Sequence, residues 1–105
     1  MGYTKRQYGD VEPLAPGMHF LRQALDCDNL GVTVVEADHG WHGKTHDHVD
    51  SGQEEVYLLL EGTARLEVGD DAVSLDPGDA VRVDPATTRR LHFPDGGRMV
   101  IAGAP

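Results

Sequence analysis

Hydrophobic and polar positions in this chain alternate over short runs, separated by Gly, Pro and Asp, and no stretch sustains a helical period. Leu30 to Ala37 (LGVTVVEA) is rich in β-branched residues and predicts a strand. Glu55 to Glu61 (EVYLLLE) has an apolar centre and predicts a buried strand, closed by Gly62. Thr63 to Val68 alternates, with Ala64, Leu66 and Val68 on one face and Thr63, Arg65 and Glu67 on the other. Gly69-Asp70-Asp71 predicts a hairpin turn into a strand over Ala72 to Leu75. Asp76-Pro77-Gly78-Asp79 predicts another turn, leading into Ala80 to Val83, where Val81 and Val83 face together. Pro85 ends that run, since proline cannot donate to a ladder. Leu91 to Phe93 and Arg98 to Ala102 complete the series around a Pro94 to Gly97 turn, while Met18 to Leu25 suits a strand or a short helix. Short strands at regular spacing with turn chemistry between them predict an all-β barrel or sandwich.

Length and charge narrow the possibilities. A chain of 105 residues fits one domain. A domain of that size buries roughly two-thirds of the surface its unfolded chain exposes, enough for one modest core. The reading is a single domain over 1–105, with 1–29 a segment that joins the barrel or a dimer edge and 30–102 the barrel core. The single cysteine, Cys27, excludes an internal disulfide, and Asp26 and Asp28 beside it oppose formation of a thiolate. Nine basic residues against 18 acidic ones give a net charge of −9, which argues against nucleic acid and anionic membranes as partners. The basic residues are Arg-rich, with Lys5 and Lys44 the only lysines, as suits either a high-salt setting or a high-GC genome. The longest apolar run, Val56 to Leu60, is far shorter than the roughly 20 residues of a membrane span. The N-terminus lacks the apolar stretch of a signal peptide, and Arg6 stands where a myristoylation signal needs Ser or Thr, so the expectation is a soluble cytoplasmic protein.

The candidate chemistry lies in the histidines. His39, His42, His46 and His48 fall within ten residues. In a strand, residues two apart share a face, so the imidazoles of His46 and His48 can converge on one ion. Glu55 follows at the head of an apolar strand, where a carboxylate needs a partner because burying it alone is costly. Two His and one carboxylate on adjacent strands form an open facial ligand set suited to Fe(II), Mn(II) or Zn(II). The same polar stretch is also compatible with a solvated loop. Trp41 suits a pocket mouth, where it would stack on a ligand, or a barrel edge; Tyr57 suits ligand contact or core packing. No Ser-His-Asp order, phosphate-binding glycine loop or CxxC pair is present.

Gly40, His46, His48, Glu55 and Gly62 carry a resemblance to a known family. Their spacing is similar to the first cupin motif, G(x)5HxH(x)3–4E(x)6G, expanded by two residues between His48 and Glu55. Gln53 to Gly62 (QEEVYLLLEG) and Leu75 to Val81 resemble phrases common in small cupins. The second motif, G(x)5PxG(x)2H(x)3N, is matched only in part from Gly78 to Phe93. Asp84, Ala86, Arg89 and Phe93 stand where its proline, glycine, histidine and asparagine are expected. The resemblance covers roughly residues 30 to 102. It implies a double-stranded β-helix (jelly-roll) barrel, a homodimer, a site inside the barrel, and His46, His48 and Glu55 as ligands to a divalent metal (Fe, Mn, Zn or Ni).

Arg89 replaces the fourth ligand, and a guanidinium, always protonated, offers no lone pair. A register shift would substitute Arg90, with the same consequence; His92, three residues on, points away in a regular strand unless a bulge re-aims it. Two outcomes follow. In one, three ligands hold the metal and Arg89 anchors a carboxylate beside it. In the other, Arg89 pairs with Glu55 or Glu54 and the barrel is metal-free, since a unit charge at about 5 Å opposes a dication by about 6 kcal/mol at an effective dielectric near 20. The corresponding functions are a barrel that binds a small molecule or anion, with or without a metal, and a metal-dependent enzyme of the dioxygenase or isomerase type acting on a small carboxylate-bearing substrate.

Overall fold

The computed structural model describes residues 2–105, and its strands follow the hydrophobic pattern, four of them extending past the expected bounds. They are β1 (Met18–Phe20), β2 (Gly31–Ala37), β3 (Trp41–His42), β4 (Glu54–Gly62), β5 (Ala64–Val68), β6 (Asp71–Leu75), β7 (Ala80–Val83), β8 (Arg89–Phe93) and β9 (Gly97–Ala104). A short 3-10 turn at Tyr8–Asp10 precedes them. The ambiguity over Met18 to Leu25 resolves as a strand followed by a tight turn, in which Leu25 N–H donates to the Leu21 carbonyl.

The strands form two antiparallel sheets, ordered β1-β2-β9-β4-β7 and β3-β8-β5-β6. Register places Leu59, Met99, Val35 and Met18 in one row across the first sheet, and Tyr57, Ile101, Thr33 and Phe20 in the next. The inner rows meet Ala64, Leu66, Leu75, Leu91 and Phe93 of the second sheet to form one continuous core. This is the jelly-roll arrangement in which two facing sheets enclose an interior.

Glycines set two of the corners. The β5–β6 hairpin turns on Gly69 and Asp70 alone, with Gly69 at φ 58° in the first turn position, as a type II′ turn requires. At the β4–β9 crossing Gly62 (φ 81°) faces Gly97, and a Cβ on Gly62 would collide with the Gly96 carbonyl oxygen and lie 2.8 Å from Gly97 Cα. A register irregularity between Leu59 and Glu61 lets β4 bend there.

The segment carrying His46 and His48 departs from the expected strand. His46 forms an isolated bridge with Arg89, each backbone N–H donating to the other's carbonyl at 3.0 and 2.8 Å. His48 is already outside it, its N–H donating to the Pro85 carbonyl. Local side-chain chemistry stops the ladder: Asp47 Oδ1 accepts from Val49 N–H, and Gly52 N–H closes a turn onto the His48 carbonyl.

Candidate metal centre and ligand cavity

Glu55 is the second residue of β4 and faces inward, level with Val83 of β7 and Gly103 of β9. A Cβ on Gly103 would lie 3.0 Å from Glu55 Cγ and 3.1 Å from the Glu54 carbonyl, so the glycine makes room for the carboxylate. The Tyr57 hydroxyl, from the same face of β4, donates to Glu55 Oε1 at 2.8 Å.

The two histidines reach the same oxygen from the opposite side. His48 Nε2 lies 3.2 Å and His46 Nε2 3.9 Å from Glu55 Oε1, and the two rings stand nearly perpendicular with centroids 5.0 Å apart. Their far nitrogens are held by neighbours. His46 Nδ1–H donates to the Lys44 carbonyl at 3.1 Å. His48 Nδ1 lies 3.4 Å from Ser51 Oγ, whose hydroxyl donates to the His48 carbonyl. Engaging Nδ1 fixes the tautomer that turns the Nε2 lone pair inward, the usual support of a metal-binding imidazole.

Burial pushes the Glu55 carboxyl up, but His46, the Tyr57 hydroxyl and the charges of His48 and Arg89 outweigh it and hold the group below the usual carboxylate range. Glu55 is therefore an anion at neutral pH. The facing Glu55 carboxylate raises His46, against the opposing effects of burial and Arg89. Burial and the adjacent Glu55 push the Tyr57 phenol far up, so it acts as a hydrogen-bond donor.

Three ligand atoms, one each from His46, His48 and Glu55, lie within 4.8 Å of one another. Donors about 2.1 Å from one ion stand about 3.0 Å apart at right angles and about 3.4 Å apart in a tetrahedron. The 3.2 Å separation of His48 and Glu55 falls between those values, whereas the 3.9 Å of His46 and Glu55 exceeds them, so His46 would move inward by about 0.5 Å or more to share an ion. His48 Nε2 is buried, and its one polar neighbour, Glu55 Oε1 at 3.2 Å, is not placed to make a hydrogen bond with it. The residues fit a divalent metal.

All three border a cavity of about 670 Å³ whose other walls are largely apolar, among them Met18, Phe20, Trp41, Leu91 and Ile101. Trp41 contacts both the cavity and the core. It lines the cavity, its Nε1–H donates to the Pro16 carbonyl at 2.7 Å, and its ring meets Phe93 edge-on at 5.6 Å. It thereby pins the N-terminal segment, whose Leu14, Pro16, Met18 and Phe20 close one side of the cavity.

Arg89 is the inward residue of its pair. It stands opposite His46 in the bridge and is only 1% exposed, whereas Arg90 faces out and donates from Nε to the Gly43 carbonyl. Arg89 is not on the cavity wall. Its Nη2 donates to the Asp84 carbonyl at 2.7 Å, and its Nε and Nη1 find no partner in the protein. Among the described residues no carboxylate lies within 4.0 Å of it, so the Arg89–Glu55 ion pair does not form, and Glu54 pairs outside the barrel with Arg82 instead. β8 runs without a bulge, which leaves His92 on the outer face, 3.2 Å from Glu67. Of the remaining histidines in the cluster, His42 stands opposite His92 and His39 approaches Asp95 at the surface.

Sequence reasoning missed three contributors. Ser51 lies in the loop between His48 and Glu55, and a hydroxyl three positions after a candidate ligand was the available signal. Lys44 acts through its carbonyl, which leaves no sequence signal. Gly103 sits opposite Glu55 only once the β4–β9 register is known.

A family model described as "Cupin domain" matches residues 33–102, two thirds of the chain. This chain is a cupin. Solved structures agree. A cupin protein from Bacteroides fragilis is 19% identical with TM-score 0.80, covering 99% of this chain and 84% of its own. An RmlC-like cupin from Shewanella frigidimarina is 20% identical with TM-score 0.78, covering 100% and 95%. A cupin from Silicibacter pomeroyi titled a sugar phosphate isomerase is 17% identical with TM-score 0.76, covering 97% and 76%. At these identities the likeness is one of fold. The sequence matches none of the curated proteins.

Proposed function

We propose that this cupin holds one divalent transition metal on His46, His48 and Glu55 and binds a small organic molecule in the adjoining cavity. The observation that carries this reading is the convergence of three ligand atoms within 4.8 Å of one another at a cavity wall. When bound, such a metal supplies Lewis-acid chemistry at coordination positions that three protein ligands leave open. The chain's own groups have the remaining tasks. Lys44 and Ser51 hold the imidazoles in orientation, and Tyr57 keeps Glu55 in place with a proton it does not release. The apolar walls exclude water from the body of the ligand.

A second reading, a metal-dependent enzyme of the dioxygenase or isomerase type on a small carboxylate-bearing substrate, is favoured by the same open positions bordering the cavity. It applies if the loaded protein consumes O2 or interconverts carbonyl isomers. Cobalt substitution tests the metal site itself. Wild-type protein titrated with Co2+ develops visible ligand-field bands saturating near one ion per chain, and His48→Ala does not. A wild-type spectrum that remains that of aqueous Co2+ contradicts the proposal.

A further inference from the structure

We infer that the molecule completing this cavity is an organic anion with an apolar body, and that Arg89 makes metal binding and anion binding depend on one another. The inference rests on the metal reading above and gives its ligand a chemical class. Its basis is a buried charge with no carboxylate in contact with it. The Arg89 guanidinium is almost wholly buried, has one hydrogen-bond partner, a backbone carbonyl, and has two donors without any. It nevertheless stands directly behind the site, joined to His46 by two backbone hydrogen bonds of 3.0 and 2.8 Å.

Without metal, the Glu55 carboxylate offsets Arg89. A dication drawn to Glu55 leaves the site with a net charge of about +2 among apolar walls, where charge is poorly screened. Nothing in the cavity lining offsets it. Glu55 is the only carboxylate among the described residues that border the cavity, and Lys44 adds a further cation. The missing negative charge must therefore come with the ligand. A carboxylate able to reach an open coordination position provides it, and Met18, Phe20, Trp41, Leu91 and Ile101 receive an apolar remainder. Because coupling between two bound species is reciprocal, each raises the affinity for the other by the same factor.

The test uses Mn2+, 3-phenyllactate and its uncharged amide 3-phenyllactamide, which differ at the carboxyl group. Mn2+ binding is followed by titration calorimetry, and ligand binding by fluorescence of Trp41, the only tryptophan and a cavity wall residue. In wild-type protein 3-phenyllactate should tighten Mn2+ binding at least tenfold, and the amide should leave it unchanged. Arg89→Gln should bind Mn2+ alone more tightly than wild type and show a smaller enhancement; an enhancement as large as that of wild type overturns the role of Arg89. The wild-type comparison stands even if that variant does not fold. Mn2+ that binds equally well alone, with the acid and with the amide overturns the coupling while leaving the metal site intact. Mn2+ that binds under none of these conditions overturns both.

Discussion

At the scale of single residues, the site is built from ordinary constraints on buried polar groups. Glu55 is anionic and inward because Tyr57 donates to it and Gly103 leaves it space. His46 and His48 present Nε2 because Nδ1 is engaged elsewhere. Such outer partners commonly contribute 10–100-fold to metal affinity. The 3.4 Å contact of Ser51 is long, so Ser51→Ala should weaken metal binding by about tenfold, at the lower end of that range. Calorimetric titration of the variant against wild type measures this; an unchanged affinity removes Ser51 from the site. The convergence of His46, His48 and Glu55 was legible in the sequence because their spacing falls within 10 residues. The state of Arg89 was not. Whether a guanidinium meets a carboxylate depends on where a long side chain ends, and sequence gives only the face from which it starts.

At the scale of elements, alternation carried most of the information. The inward sets of β5, β7 and β4 (Ala64, Leu66 and Val68; Val81 and Val83; Glu55, Tyr57 and Leu59) agree with the period-2 pattern because each strand has one face on the core. The pattern left a strand and a solvated loop both open for His46 and His48, and the structure places His48 beyond a regular strand. Asp47 supports strand spacing in a text of residues, but its carboxylate competes for backbone N–H groups and turns the chain. The glycine-lined crossing of β4 and β9 makes a direct test of the architecture. Gly62→Ala places a Cβ against the Gly96 carbonyl at a left-handed φ and should cost about 2 kcal/mol or more. Urea denaturation of the variant measures the loss; stability within about 0.5 kcal/mol of wild type, the range of an ordinary surface substitution, would show that the crossing relaxes freely.

At the scale of the molecule, the two faces of the larger sheet differ in what remains to be covered. The inner face forms the core, but the outer face carries Val56, Leu58, Val100 and Ala102 in adjacent rows, with Val56 38% and Leu60 44% exposed. The homodimer expected from the cupin resemblance would cover such a face, since a patch of this kind is usually functional in an isolated domain. Light scattering should then give the mass of two 11.4 kDa chains, and Val56→Lys should shift it toward one; a wild-type monomer contradicts this. The net charge of −9 shapes the same molecule differently, since it leaves the buried Arg89 as a local exception to an acidic whole.

The central claim is that His46, His48 and Glu55 form a metal centre, and elemental analysis tests it most directly. Wild-type protein and the His46→Ala/His48→Ala variant are purified without a nickel column, incubated anaerobically with Fe(II) or Mn(II), desalted and analysed side by side. The result expected is close to one Fe, Mn, Zn or Ni per wild-type chain and almost none in the variant. Metal absent from both, or equal in both, would contradict it.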